Sequence, residues 1–539
     1  MKKHNFHFIF LGLIGLISLF SSCHKPFEGV SAIVSNSFIK QRIGVQVIDA
    51  NPKATNPYPA NPSITLSGDA VKKGLIYTGD GEALTETPGN AKLVNNAITL
   101  AIKPNTIISA SSPLKFTIQA SAAGYLTNAQ DVVVRSADSL QYVKVRLLKP
   151  SDLPAGVANV AVKDNSVVNG VSSTNFVVNV APPGNASQPQ VNVTFPAGTL
   201  FKDNLGAAIS KSSLAVNVTN FSSTSPDAGS AITGGLNNIT TSASSTPQSF
   251  ILAAAVDFNV NLGGVDVKSF SQPIPVELFV SDKTYNPVTK ALLKEGDVIP
   301  VFSKSDGGIW LKEPSVTVIK DPVSGRLKTD LQVTHLSVWA EVFSQPMRDQ
   351  PLTINYISTE KEYKTIYVRV VASEGSQQLI QEKTVSIKDG DKIQIDVPSG
   401  IDVVVKAYEG SSASAPLITS TFVGASSSSV SITNNRTNSN PSLYFNLETV
   451  CLNGTFRYTG PIDYKLSTDG VWEAFTPSTN GTLTTKLLEW NKTYDFRIIY
   501  KGTEFRRSRT VSQAEFTQSG ANWNFSKQSF FNAPTNCTQ

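Results

Sequence analysis

The sequence predicts an all-β protein, a set of tandem β-sandwich domains behind an N-terminal leader. Three observations carry that reading. Short runs alternate apolar and polar residues with the period of a half-buried strand, as in Ile43-Gly44-Val45-Gln46-Val47-Ile48-Asp49. Asp-Gly and Asn-Gly pairs, at Asp389-Gly390, Asp469-Gly470 and Asn480-Gly481, fall between such runs as turn signals. No stretch has the period of a long amphipathic helix. Only 16% of residues are charged, against about 25% in ordinary soluble domains, and Ser, Thr, Asn, Val and Ala fill the difference.

The leader comes first. Lys2 and Lys3 precede an almost unbroken apolar run from Phe8 to Phe20. That is a secretory signal length, short of the roughly 20 apolar residues a membrane span needs. Ser21 and Ser22 are small enough for a peptidase, and Cys23 follows at once. The pattern resembles the lipobox of bacterial lipoproteins of the Bacteroidota outer-membrane type, with Phe20 where Leu is usual. The resemblance implies removal of residues 1–22, acylation of Cys23 and a lipidated linker over 23–41. Two or more acyl chains hold a protein stably to a membrane, where one holds it only marginally. An ordinary cleaved signal with a chance cysteine, or an uncleaved anchor, are the alternatives. His24 stands where an acidic residue would favour inner-membrane retention in enteric-type sorting, so the resemblance implies the outer membrane, on its surface or its periplasmic face.

Behind the leader there is chain for about three to five domains. Loss of Lys2 and Lys3 lowers the formal charge of +5 to about +3, too little over this length to mark a nucleic-acid binder. Of the three cysteines, only Cys451 and Cys537 remain after Cys23. Two cysteines alone in an oxidising compartment are expected to pair, and the long loop would be worth about 4–5 kcal/mol in the chain-entropy model. Two separate buried thiols are the alternative.

The first expected domain covers 42–150. Its strands are the opening run, Ser63 to Ser67, Lys115 to Ala120, Asp131 to Arg135 and Tyr142 to Leu148, with a Pro/Asn-rich loop from Asn51 to Pro62. The opening V-x-V-x-D, the proline loop and the step Ala123-Gly124-Tyr125 resemble the carboxypeptidase regulatory-like, transthyretin-like fold. The resemblance implies a non-catalytic accessory module. The second domain, 151–346, strings together Phe195-Pro196-Ala197-Gly198-Thr199, Pro273-Ile274-Pro275-Val276, Gly296-Asp297-Val298-Ile299-Pro300, Gly308-Ile309-Trp310 and His335-Leu336-Ser337-Val338-Trp339. That order resembles the β-sandwich shared by ankyrins and netrin receptors, which implies an interaction and spacer domain. The third, 350–432, reads as a small immunoglobulin- or transthyretin-like sandwich. In it Thr384 to Ile387 and Lys392 to Val397 flank the turn Lys388-Asp389-Gly390-Asp391, a hairpin signal. Asn434 to Pro441 reads as a linker, and 443–539 as a C-terminal sandwich.

Chemistry is scarce. Of four histidines, two lie in the leader and one beside Cys23. Only His335 could serve a Ser-His-Asp site, and its surroundings read as a strand. There is no G-x-S-x-G, H-E-x-x-H or P-loop pattern, and zinc would lack ligands. Asp80, Asp306, Asp389, Asp391 and Asp469 sit in glycine-flanked turns, without the spacing of a calcium loop. Paired carboxylates for a glycosidase could arise by chance among 41 acidic residues. The expectation is no enzyme, no cofactor and no metal. The leading reading is a membrane-anchored structural or adhesive spacer with a distal recognition domain. The alternative is a glycan-binding component of a polysaccharide uptake system, with a glycoside-active enzyme third. The partners would be membrane lipid and a glycan or protein ligand. The ligand face would be Trp472, Trp490 and Trp523 of the last domain, because aromatic rings give large contact area at low entropy cost. The competing reading of those rings is a core. Arg506, Arg507 and Arg509 read as a solvated edge strand.

Overall fold

The computed structural model describes residues 42–532 apart from 79–80, 90, 94–95, 110–111, 136–140, 183–187, 227, 305–308, 361–363, 411, 414, 437–439, 452–453, 458–461, 468–472, 476–480, 501–502 and 526–530. The leader, Cys23 and Cys537 lie outside the described residues, as do Trp472, Asp80, Asp306 and Asp469. The chain is all-β, built as tandem sandwiches.

The opening strand, Arg42–Asp49, buries alternate residues as its pattern requires. It pairs antiparallel with Ala97–Ile102 and parallel with Gln141–Leu147. A second sheet of Ser63–Ser67, Leu114–Ser121 and Asn128–Val134 closes over it, and Ile43, Val45, Leu66, Phe116 and Ile118 meet in the core between them. Gly124 takes a positive φ of 79°, which favours glycine. The turn presents Tyr125, whose hydroxyl donates to Asp49 Oδ2 at 3.0 Å. Two stretches noted separately in the sequence thus touch.

The second segment packs a six-stranded sheet on an eight-stranded one. The 19-residue strand Ser244–Leu262 runs through the larger sheet. Trp310 and Trp339 are both 1% exposed, so they are core residues. Trp339 Nε1 donates to the carbonyl of His335 at 3.0 Å, and the two rings lie 4.9 Å apart. His335 ends the strand Leu327–His335.

The third segment departs from its expected connectivity. Gly390 has a φ of 86°, so the Asp389-Gly390 turn forms, yet it is not a hairpin. Leu379–Ile387 pairs with Lys364–Ala372, whereas Lys392–Ile395 pairs with Leu352–Ser358 in the opposite sheet. The turn is a corner between sheets. It is held there because Gly390 donates to the carbonyl of Tyr356 and Tyr356 donates to that of Asp391, both at 3.0 Å. Asn434 is also not linker. It ends the strand Ser429–Asn434 and is fully buried.

The segments are not beads on a string. Gln141–Leu147 of the first pairs antiparallel with Leu379–Ile387 of the third through Tyr142 with Thr384 and Gln141 with Val385. One eight-stranded sheet therefore runs across both. Gln378 is buried, accepting from Leu252 N at 2.7 Å and donating to Phe250 O at 3.0 Å, beside a bulge in the long strand of the second segment. The second and third segments share one apolar core. Residues 42–434 thus form a continuous packed body. The last segment has its own core of Leu443, Phe445, Tyr464, Phe475, Tyr494 and Phe496.

Candidate functional site

Trp490 and Trp523 come together on the last segment. Trp523 lies in the strand Asn522–Phe525, which pairs with Ser442–Asn446 and Phe516–Ser519. Trp490 lies in the turn before Thr493–Tyr500. That turn is fixed by Leu487 N on Thr485 Oγ1 at 3.0 Å, by Glu489 N on the Tyr494 hydroxyl at 3.1 Å, and by Asn491 N on the carbonyl of Val511 at 2.8 Å. Asn491 sits at a φ of 63°, the left-handed conformation that asparagine tolerates best after glycine.

The two indoles meet edge to face, 5.5 Å between centroids at 80°. Trp490 also meets Phe516 at 5.2 Å and 74°. These are favoured geometries for aromatic pairs. Both tryptophans are half-buried and pack against the core. Each residue is thus partly packed on the core and partly exposed. Beside them the guanidinium of Arg509 lies 4.7 Å from the Phe525 ring, in cation–π range, and donates to Glu515 Oε2 at 3.2 Å. The strand Thr503–Thr510 is at a sheet edge, as the arginine run was read, but Arg509 is not solvated: its side chain keeps only 9% exposure.

Cys451 ends the strand Glu448–Cys451, whose Thr449 and Val450 pair in parallel with Phe531 and Asn532. The short strand Phe531–Asn532 therefore runs alongside that of Cys451, and Cys537 itself lies outside the described residues. Of the turn aspartates, Asp389 Oδ1 accepts from Ser358 N at 2.8 Å and Asp391 Oδ2 from Lys388 N at 3.0 Å, which are turn-capping roles. Among the described residues no group of three or more His, Cys, Asp or Glu is placed to hold a metal ion.

The seam between the first and third segments is the other polar concentration, and no local pattern in the sequence marks it. A cavity of about 170 Å³ there is lined by Arg135, Lys144, Arg146, Glu382, Lys383 and Asp396 among others. Arg135 pairs with Asp396 at 2.5 Å, and Arg146 pairs with Glu382. The Tyr367 hydroxyl donates to the other oxygen of Glu382. Burial pushes the Glu382 carboxyl up, but Arg146, Tyr367, Lys144 and Arg369 outweigh it and hold it below the usual range. Burial pushes Lys144 down to about 8 against the pull of Glu382. Two ion pairs, Arg135–Asp396 and Arg146–Glu382, thus cross the seam as a latch between segments does.

No family model and no curated protein matches the chain. Among solved structures it is similar to the Bacillus anthracis TIE protein, at 10% identity over 91% of this chain and 73% of that one, with a TM-score of 0.13. It is similar to the major pilin subunit of Bacillus cereus at 8% identity over 92% of this chain and 100% of that one, again with a TM-score of 0.13. Listeriolysin O follows at 10% identity, 72% and 89% coverage and a TM-score of 0.11. Scores this low are no basis for a reading of function.

Proposed function

We propose that the chain is an exported, lipid-tethered outer-membrane protein whose body carries a non-catalytic recognition unit, 443–539, for a glycan or protein ligand. The observation that carries this reading is the contrast among tryptophans. Trp310 and Trp339 are sealed in the core, whereas Trp490 and Trp523 keep part of their rings at the surface as a pair. Paired, partly exposed indoles suit contact with sugar faces or with a partner's side chains. The leader and Cys23 support the tether, and the pairing of the strands leading to Cys451 and Cys537 supports a disulfide in the same unit.

Two experiments test it. Cys23→Ala should move the protein out of the membrane fraction, and retention there with no acyl mass on the wild type contradicts the tether. Deletion of 443–539 should abolish binding to envelope polysaccharide or cell-surface extracts while 42–434 stays folded, and a truncated chain that binds as well as the whole contradicts the recognition unit. Binding of the whole chain to polysaccharide but not to protein favours the uptake-component reading.

A further inference from the structure

Lys364, Glu409 and Asn434 meet inside the third segment from three different strands. Lys364 begins Lys364–Ala372, Glu409 ends Val403–Glu409 and Asn434 ends Ser429–Asn434. Lys364 is 2% exposed and Asn434 is fully buried. The Lys364 ammonium donates to Glu409 Oε1 at 2.8 Å, and Asn434 Nδ2 donates to Glu409 Oε2 at 3.1 Å. One carboxylate therefore bridges an amine and a carboxamide. The rest of the carboxamide is also engaged. Nδ2 donates to the Tyr356 hydroxyl at 3.1 Å, and Oδ1 accepts the backbone N–H of Arg436 at 3.1 Å.

Each contact has a chemical consequence. The Arg436 N–H polarises the carboxamide carbonyl, and a donor so placed stabilises negative charge that develops on Oδ1. Glu409 touches both the attacking and the departing nitrogen, the position of a proton carrier. Burial keeps water away from the carbonyl carbon and holds the reacting groups together, which favours reaction between neighbours over hydrolysis.

We infer that Lys364 and Asn434 become joined by an intramolecular isopeptide bond that the folded chain forms by itself. The Lys364 Nζ attacks Cγ of Asn434, the Nζ–Cγ bond forms and the Cγ–Nδ2 bond breaks. Nζ sheds two protons. One reaches Nδ2 by way of Glu409, and nitrogen leaves as ammonia. The other stays on Glu409, whose cationic partner has gone. No oxidant, reductant or cofactor is required. Burial lowers the proton affinity of the amine, but Glu360, 2.8 Å from Nζ, and Glu409 raise it further, and the net shift is upward. The first proton must therefore leave against the pull of two carboxylates. Once made, the bond pins the last residue of the third segment to the start of an inner strand, next to where the chain leaves for the fourth. The inference is independent of whether 443–539 binds a ligand.

The test is peptide mapping of the full chain, purified folded and aged. The expected product is one branched tryptic species joining the Lys364 and Asn434 peptides, lighter than their sum by one ammonia, with no cleavage after Lys364. Lys364→Arg and Asn434→Ala should give only linear peptides, and Glu409→Gln should give a large loss of the branched form. Cleavage after Lys364 and full recovery of the linear Asn434 peptide from folded wild-type protein would overturn the proposal, and that result needs no variant to fold. Undiminished cross-link in Glu409→Gln would overturn the role given to Glu409.

Discussion

Glu382→Ala should destabilise the 42–434 body by about 3 kcal/mol, measured as a fall in the denaturation midpoint. Removing one partner of a buried ion pair costs about 3–5 kcal/mol, because the other charge stays buried and unpaired. Here the side chains of Arg146 and Glu382 keep 20% and 17% exposure, which places the loss at the lower end. The residue also accepts from Tyr367 and faces Lys144, so its removal leaves several groups at the seam without their counter-charge. The pH dependence has a definite sign. The folded carboxyl titrates below its usual range, so its contribution is complete above the unfolded value and is lost as pH falls through the folded one. The wild type should therefore weaken in acid more steeply than the variant. Equal midpoints at neutral pH would show that the first and third segments do not depend on this latch.

Glu341→Gln should stabilise the chain by about 2 kcal/mol at pH 7 and destabilise it by about 1 kcal/mol near pH 4. Glu341 is 0% exposed in the core of the second segment and accepts a bond from Thr329. Burial raises its carboxyl from 4.5 to about 8, the Thr329 bond opposing and Asp330 adding to the rise. Below the unfolded value both states hold the proton and the group costs nothing. Above it the unfolded chain releases the proton and the folded chain keeps it, so stability falls as pH rises toward the folded value. At pH 7 the cost is about 3 kcal/mol at 1.36 kcal/mol per pH unit. Glutamine can still accept from Thr329 without that penalty, less about 1 kcal/mol for an extra buried N–H. Calorimetry across pH 4 to 8 should show the two stability curves crossing, the variant the less stable in acid and the more stable at neutral pH. Parallel curves would mean that Glu341 is ionised in the fold.

The strands and the all-β class were legible because alternation of side chains is a local property. Arg42–Asp49 could be drawn from sequence nearly residue for residue. What joins strands was not legible. Gln141–Leu147 alternates like any half-buried strand, and nothing in it says that its free edge meets Leu379–Ile387 more than two hundred residues later. The Asp389-Gly390 pair encodes a turn but not which sheet receives each arm. Asn434 looked like linker because Asn and Ser follow it, whereas its burial is decided by Glu409 and Tyr356 on other strands. Of the aromatic face, composition pointed to the last segment and to Trp490 and Trp523. Their edge-to-face contact depends on the pairing of Asn522–Phe525 with Ser442–Asn446, which no local pattern states.

The most direct test of recognition by the last unit is the binding of the full chain and of Trp523→Ala to arrayed glycans and envelope protein extracts. Trp523 is only half-buried, so its truncation should leave the fold intact by circular dichroism. Loss of an aromatic anchor at a binding centre costs about 2 kcal/mol or more, which is more than tenfold in affinity. That loss together with an unchanged fold is the expected result. Wild-type affinity in the folded variant would contradict it and remove the Trp490–Trp523 face from the binding site.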